Sequence, residues 1–288
     1  MLIGLVGFFL LWFVTALPRW RETARMAACQ KNLMQIGVAL QLYHQATRHY
    51  PTSPVPGVAS GDSPVAALLN SLSLLDFLDL KDPKQAVKPS RPPIRGLRVP
   101  GLGCPSDPAA MTGRFPSSIS YRADAGETPD GRLGPFEPGR VVTSAEIESG
   151  PGLSYSAGFA ERLVGTGSDR QAGLANYASS PGPVGDGGCV TPPPSAWRGD
   201  AGSSWAEAGW RSALFNHVLP PNAAGSCIAE DGRTAAIGVS SAHPGRVNVV
   251  LMDGSLRGVT PTIAPKVWRA LGTIGPGTKP SPSGVKAP

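Results

Sequence analysis

The chain has 288 residues, a mass of 29.8 kDa and a formal net charge of +6. Its 36 glycines and 31 prolines make up more than a fifth of the sequence, against about 12% in an average protein. With charged residues at 16% and aromatics at 7%, a coiled-coil rod, a helical bundle and a charged disordered polymer are excluded, and a loop-rich domain with short strands is favoured.

Residues 1–17, MLIGLVGFFLLWFVTAL, carry no charge, and Thr15 is their only polar side chain. As a helix they extend about 25 Å, enough for a thin bilayer. Arg19, Trp20 and Arg21 follow, residue types of a membrane interface. A cleaved secretory signal needs a basic start and a small-x-small cut site, and neither is clear here. The reading is a single transmembrane anchor over 1–17.

The helix is expected to continue through 18–50, with Pro18 as a candidate kink. Met26, Cys29, Leu33, Ile36, Leu40 and Tyr43 recur every three or four residues and make one apolar stripe. Leu33, Ile36, Leu40 and Tyr43 are assigned to packing against a sheet. Tyr50-Pro51 ends the helical region. Residues 62–80 carry a second helical pattern, with Ala66, Leu69 and Leu72 at helical spacing. Residues 81–100 are basic and proline-rich, a loop. Further on, Arg246–Met252 and Ser255–Val259 read as strands around Asp253-Gly254, which predicts a two-residue hairpin whose two central residues have positive φ. The globular head is placed at 51–265 and a solvated tail at 266–288.

Several blocks resemble one bacterial family. Near the start are Arg21–Arg25, Cys29–Gly37, Leu42-Tyr43-His44 and Tyr50-Pro51; in the middle are Cys104-Pro105-Ser106-Asp107-Pro108, Ile119-Ser120-Tyr121, Gly152–Gly165 and Phe215–Asn222. The C-terminal block is His243, nine residues, then Asp253-Gly254. The sequence is similar, over about residues 5 to 265, to a family with a prepilin-type N-terminal segment and a domain of unknown function, sometimes labelled solute-binding-like. The resemblance implies an α+β, pilin-like fold: a long N-terminal helix, half transmembrane and half amphipathic, packed on an antiparallel sheet with long Gly/Pro-rich loops. It also implies a pseudopilin-like assembly role, in a type II secretion or pilus-like system, with other pilin-like subunits as partners. The protein would be single-pass in the inner membrane with a periplasmic head.

One departure stands out. The family's basic leader and Gly-Phe-Thr-Leu-Ile-Glu cleavage motif are not in this sequence, and the alignment of Pro18 puts Met1 about four residues inside the mature helix. As written, Arg19, Arg21, Arg25 and Lys31 all follow the span, so the positive-inside rule argues for a cytoplasmic head. The resemblance and the even cysteine count argue for the outside, and that side is preferred here.

The candidate chemistry is sparse. His243 and Asp253 flank a strand that reaches about 23 Å, too far for one ion to bridge. They read as turn residues, with the His243 imidazole bonded to nearby backbone and Asp253-Gly254 forming the hairpin turn. His217 reads as a buried hydrogen-bonded side chain and His44 as a polar helix edge. Asp124, Glu127 and Asp130 are too irregular for a calcium loop. No G-x-S-x-G, H-E-x-x-H, P-loop, EF-hand or G-x-G-x-x-G is present, and the basic residues are scattered, not clustered as nucleic-acid binding requires. The sequence therefore reads as a non-enzyme with no cofactor or metal and no nucleic-acid partner.

Cys29, Cys104, Cys189 and Cys227 allow three pairings, and sequence does not choose among them. Cys29–Cys104 with Cys189–Cys227 is the working hypothesis, since Cys29 lies on the stripe and the bond would staple helix to head. The alternative function is an extracytoplasmic solute-binding module of unknown ligand, with Trp197, Trp205, Trp210, Tyr155 and Tyr177 lining a cleft.

Overall fold

The computed structural model describes residues 2–58, 61–69, 96–189 and 191–275, with side chains from Trp20 onward. Its first helix, α1 (Leu2–Thr47), is helical on both sides of Pro18. It ends at Arg48, whose φ of 65° is the left-handed conformation that stops a helix; the Arg48 N–H bonds to His44 O at 2.8 Å. In chain order there follow α2 (Pro64–Leu68), α3 (Pro108–Thr112), β1 (Tyr121–Asp124), α4 (Ser144–Ser149), β2 (Ala157–Glu161), β3 (Tyr177–Ser180), β4 (Trp197–Arg198), β5 (Leu214–Phe215), β6 (Cys227–Ala229), β7 (Ala235–Ala236), β8 (Val247–Leu251), β9 (Leu256–Val259) and α5 (Pro265–Leu271).

The strands form two sheets. One has five strands in the order β5-β1-β2-β8-β9, the other four in the order β4-β3-β6-β7. Both are mixed: β1 runs parallel to β5 and β3 parallel to β6, while the remaining pairs are antiparallel. This corrects the antiparallel sheet that the resemblance implied. Chain segments of about 90 and 50 residues separate the parallel partners, as a parallel pair requires a crossover and not a hairpin.

α1 lies across β2, β8 and β9. Cys29, Leu33, Ile36, Ala39 and Leu40 are buried in the main core with β8 residues Val247, Val249 and Val250, and Tyr43 packs at its edge. Gly37 sets the closeness of approach, because a Cβ there would meet Val250 Cγ2 at 2.9 Å. Polar side chains fasten the same helix. Gln30 donates to Asn248 Oδ1 (3.2 Å), Asn32 to Gly103 O (3.1 Å) and Gln41 to Met252 O (2.6 Å). The four-stranded sheet has its own small core around Ala178, Trp197 and Cys227.

Several expectations change. The turn after β8 is a three-residue loop. The Gly254 N–H bonds to Leu251 O, the Leu251 N–H bonds to Ser255 O, and Gly254 alone has positive φ, at 85°. This is a type I turn closed by a left-handed glycine, so Asp253 contributes a side-chain acceptor and not a left-handed backbone. The helix expected over 62–80 is described only as α2, capped by Ser63, whose Oγ accepts from the Ala66 N–H; residues 70–95 lie outside the described residues. The head extends past 265, because α5 buries Trp268 and Leu271 and the chain after it buries Ile274. Three large apolar side chains within ten residues outweigh the surrounding glycines and prolines. Residues 276–288 lie outside the described residues. Among the described residues no helix is long and apolar enough to cross a membrane; the side chains of 1–17 are not among them.

Candidate functional site

The most concentrated polar chemistry sits where α1 meets the head. Glu22 projects from α1, Glu161 ends β2, Asn248 lies on β8 and His243 precedes that strand. His243 is gripped from both ring nitrogens: Nδ1 is 2.8 Å from Glu22 Oε1 and Nε2 is 3.3 Å from Glu161 Oε1. Ser106 Oγ donates to the same Glu22 oxygen at 2.9 Å. Glu161 is held in turn by Asn248, whose backbone N–H reaches Oε2 and whose Nδ2 reaches Oε1, each at 2.9 Å. Gln30 closes the chain from α1 onto Asn248. Burial alone would lower the His243 pKa, but Glu161 and then Glu22 outweigh it and raise the value above that of a free histidine.

Cys29 and Cys104 are disulfide-bonded beside this cluster, and Cys104 Sγ lies 3.7 Å from His243 Nε2. The segment Cys104–Asp107 thus does three jobs in four residues. Cys104 bonds α1 covalently, Ser106 bonds it through Glu22, and Asp107 ties the loop to the sheet. Asp107 caps α3 by accepting from the Ala109 and Ala110 N–H groups, and its Oδ2 also accepts from Ser120 Oγ (2.9 Å) and the Val164 N–H (2.8 Å). Cys189 and Cys227 form the second disulfide, joining β6 to the loop after β3.

Of the residues singled out from sequence, His243 joins this cluster. The expected backbone partner of its ring is replaced by two carboxylates, because the turn at 243–245 points the ring under α1 and not back onto the loop. Asp253 and Gly254 lie at the opposite end of β8 and take no part. Leu33, Ile36, Leu40 and Tyr43 lie further along α1, on its sheet-facing side. Sequence reasoning missed the part that Glu22, Glu161 and Asn248 play in this cluster. For Glu161 and Asn248 the signal was a single polar residue in an otherwise apolar strand, AGFAE and VNVVL, which marks a paired polar group in a core strand; Glu22 on α1 gave no such signal.

Buried polar groups are also paired elsewhere among the described residues. His217 is fully buried, with Nδ1 2.7 Å from Trp268 O and Nε2 3.1 Å from Asp124 Oδ2. Burial pushes the Asp124 carboxyl up against the pull of His217. Asp124 is therefore a core anchor, not one arm of a cation loop, and Asp130 pairs with Arg132 at the surface. Arg162, pushed down to about 10 by burial, donates to the carbonyls of Gly238, Leu174 and Asn176 and braces the gap between the sheets.

The aromatic set divides. Tyr177 and Trp210 line a cleft of about 300 Å³ with Arg198, Arg211 and Glu230. Trp197 belongs to the small core, and Trp205 is buried with its Nε1 bonded to Leu97 O at 2.9 Å. Tyr155 is exposed on the surface.

No curated protein and no solved structure matches the chain. A family model does, over residues 18–266, a span that contains every residue of the helix–sheet cluster and both disulfides. With most of its length matched, the chain belongs to the family described as "Protein of unknown function (DUF1559)".

Proposed function

We propose that the protein is a membrane-anchored, non-enzymatic, pseudopilin-like subunit that displays its head outside the inner membrane and assembles with pilin-like partners. The observation that supports this reading is the division of α1. From Glu22 to Tyr43 it is fixed to the head by core side chains, a disulfide and a row of hydrogen bonds. The stretch before it, residues 1–17, is uncharged and apolar in sequence. A pair of disulfides fits an oxidising compartment.

The test is fractionation of the full-length protein from a Gram-negative host. It should stay with membranes through an alkaline carbonate wash and come off only in detergent; recovery in the wash or the soluble fraction rejects the anchor. Protease added to spheroplasts should then remove the head, and protection of the head would reject the outside placement.

A second reading, solute binding, is favoured by the cleft beside Tyr177 and Trp210, where the buried Trp210 Nε1 has no hydrogen-bond partner among the described residues. Arg211 is already paired with Asp200 and Glu207, and Glu230 lines the cleft with Arg198, so a hydroxylated or zwitterionic solute, a sugar or a short peptide, is the natural candidate. A thermal-shift screen over sugars and short peptides should show one class that raises the melting temperature, with the rise lost in Trp210→Ala. A flat screen rejects this reading.

A further inference from the structure

We propose that the disulfide-bonded clasp is the oxidised form of a zinc site, and that reduction of Cys29–Cys104 releases a tetrahedral set of four ligands for Zn2+: two cysteines, one histidine and one glutamate. The donor atoms are already gathered. Cys29 Sγ, Cys104 Sγ, a Glu161 carboxylate oxygen and a His243 ring nitrogen all lie within 4.8 Å of one another. A tetrahedral zinc with ordinary bond lengths sets its ligand atoms about 3.3–3.8 Å apart. Cys104 Sγ to His243 Nε2 is 3.7 Å and His243 Nε2 to Glu161 Oε1 is 3.3 Å, already at that spacing. Once the sulfurs are no longer bonded to each other, rotation about their side chains completes the figure.

The contacts around the four groups would also serve a metal site. His243 Nδ1 is held by Glu22 Oε1, which turns Nε2 toward the sulfurs and is the carboxylate–histidine arrangement that orients a metal-bound imidazole. Asn248 holds Glu161 through two hydrogen bonds, its N–H to Oε2 and its Nδ2 to Oε1, and Oε1 keeps a second lone pair on the side of His243 Nε2. Two thiolates, an imidazole and a carboxylate favour zinc over the harder cations, and four protein ligands make the site closed and structural. All four ligands are buried, and the access side is Glu22, whose side chain is 29% exposed.

The chemistry balances with a named co-reactant. An external phosphine gives two electrons to the S–S bond and becomes the phosphine oxide, with water supplying its oxygen and the two thiol protons; a dithiol does the same by closing its own disulfide and handing over its two protons. Zinc then displaces both thiol protons, and the Nε2 proton where the imidazole carries one, while Glu161 binds as the carboxylate. Disulfide and zinc are therefore alternative clamps at one place between α1 and the head, chosen by redox state. This inference does not rest on the membrane anchor.

The experiment uses the full chain in detergent micelles, reduced with a phosphine and titrated with Co2+ as a spectroscopic stand-in, then with Zn2+. A Cys189→Ser/Cys227→Ser background leaves one cysteine pair in play. The reduced chain should take up one cobalt with thiolate charge-transfer bands and the visible spectrum of a tetrahedral ion, and zinc should bleach it. The oxidised chain should show neither. Cys104→Ser should lose the bands, and His243→Ala should weaken binding at least tenfold. If removing the second disulfide unfolds the chain, wild type against Cys104→Ser carries the same comparison. Absence of thiolate bands in a folded, reduced chain overturns the proposal. So does equal binding when oxidised, or bands that survive Cys104→Ser. If reduction unfolds the head, zinc must restore its circular dichroism; failure to do so also overturns it.

Discussion

Two aspartates show how much a single carboxylate does in a chain this rich in loops. Asp107 accepts four hydrogen bonds from three segments, so it acts as a knot between α3, Ser120 and the exit of β2. Asp253 combines a local turn contact with one from a distant loop. Burial would raise its pKa, but hydrogen bonds from Ser255 and Ser154, with Arg257 nearby, outweigh that and hold the carboxyl below its ordinary value. A group depressed in the folded state contributes stability above its unfolded pKa of about 3.9 and loses it as the pH falls through the folded value. Asp253→Asn should therefore melt below wild type at neutral pH, with the difference shrinking once the pH passes below about 4. Thermal melts across that range check it, and a gap that widens in acid would refute it. Asp253 was visible in the sequence as a turn residue because Asp-Gly has a strong local preference. Asp107 was visible only as part of a resemblance, because two of its partner groups, those of Ser120 and Val164, are brought to it by folding, not by neighbouring sequence.

Among the elements, α1 was the most legible and the strands the least. A stripe repeating every three or four residues reports its own buried face, and Leu33, Ile36 and Leu40 are each at most 1% exposed. Strands of two residues, such as β4, β5 and β7, are too short for any alternation to register, and their pairings depend on distant crossovers. The same burial makes a sharp prediction. Leu40→Asp places an unpaired charge against β8 and β9 in a space shaped for a methyl-bearing side chain. It should cost more than about 4 kcal/mol, read as a large drop in the urea midpoint; an unchanged midpoint would show that α1 does not need its sheet contact.

For the molecule as a whole, the helix–sheet cluster could not be read from sequence because its members are scattered along the entire chain. Glu22 and His243 are 221 residues apart, and Glu161 and Asn248 are 87 apart. No period or motif encodes such a meeting; only the order β2-β8 in the sheet, with α1 laid across it, brings them together. The covalent tie is similarly long-range. Replacing Cys29 and Cys104 with serine frees a loop of 75 residues and should lower stability by about 4 kcal/mol under oxidising conditions. Urea unfolding of the double variant beside wild type measures it, and a loss under about 1 kcal/mol would show that the unfolded chain is not constrained by this bond.

The position of that bond matters mechanically. It sits near the leading end of the fastened part of α1, ahead of Leu33, Ile36, Leu40 and Gln41. A tug applied to the front of the rod meets a sulfur–sulfur link before it reaches any of those softer contacts. Peeling from the front is therefore blocked, and tension is passed into the Cys104–Asp107 loop, which the hydrogen bonds of Asp107 to Ser120 and Val164 tie to the chain flanking β1 and β2. In the reduced chain the same pull would reach the apolar contacts one after another.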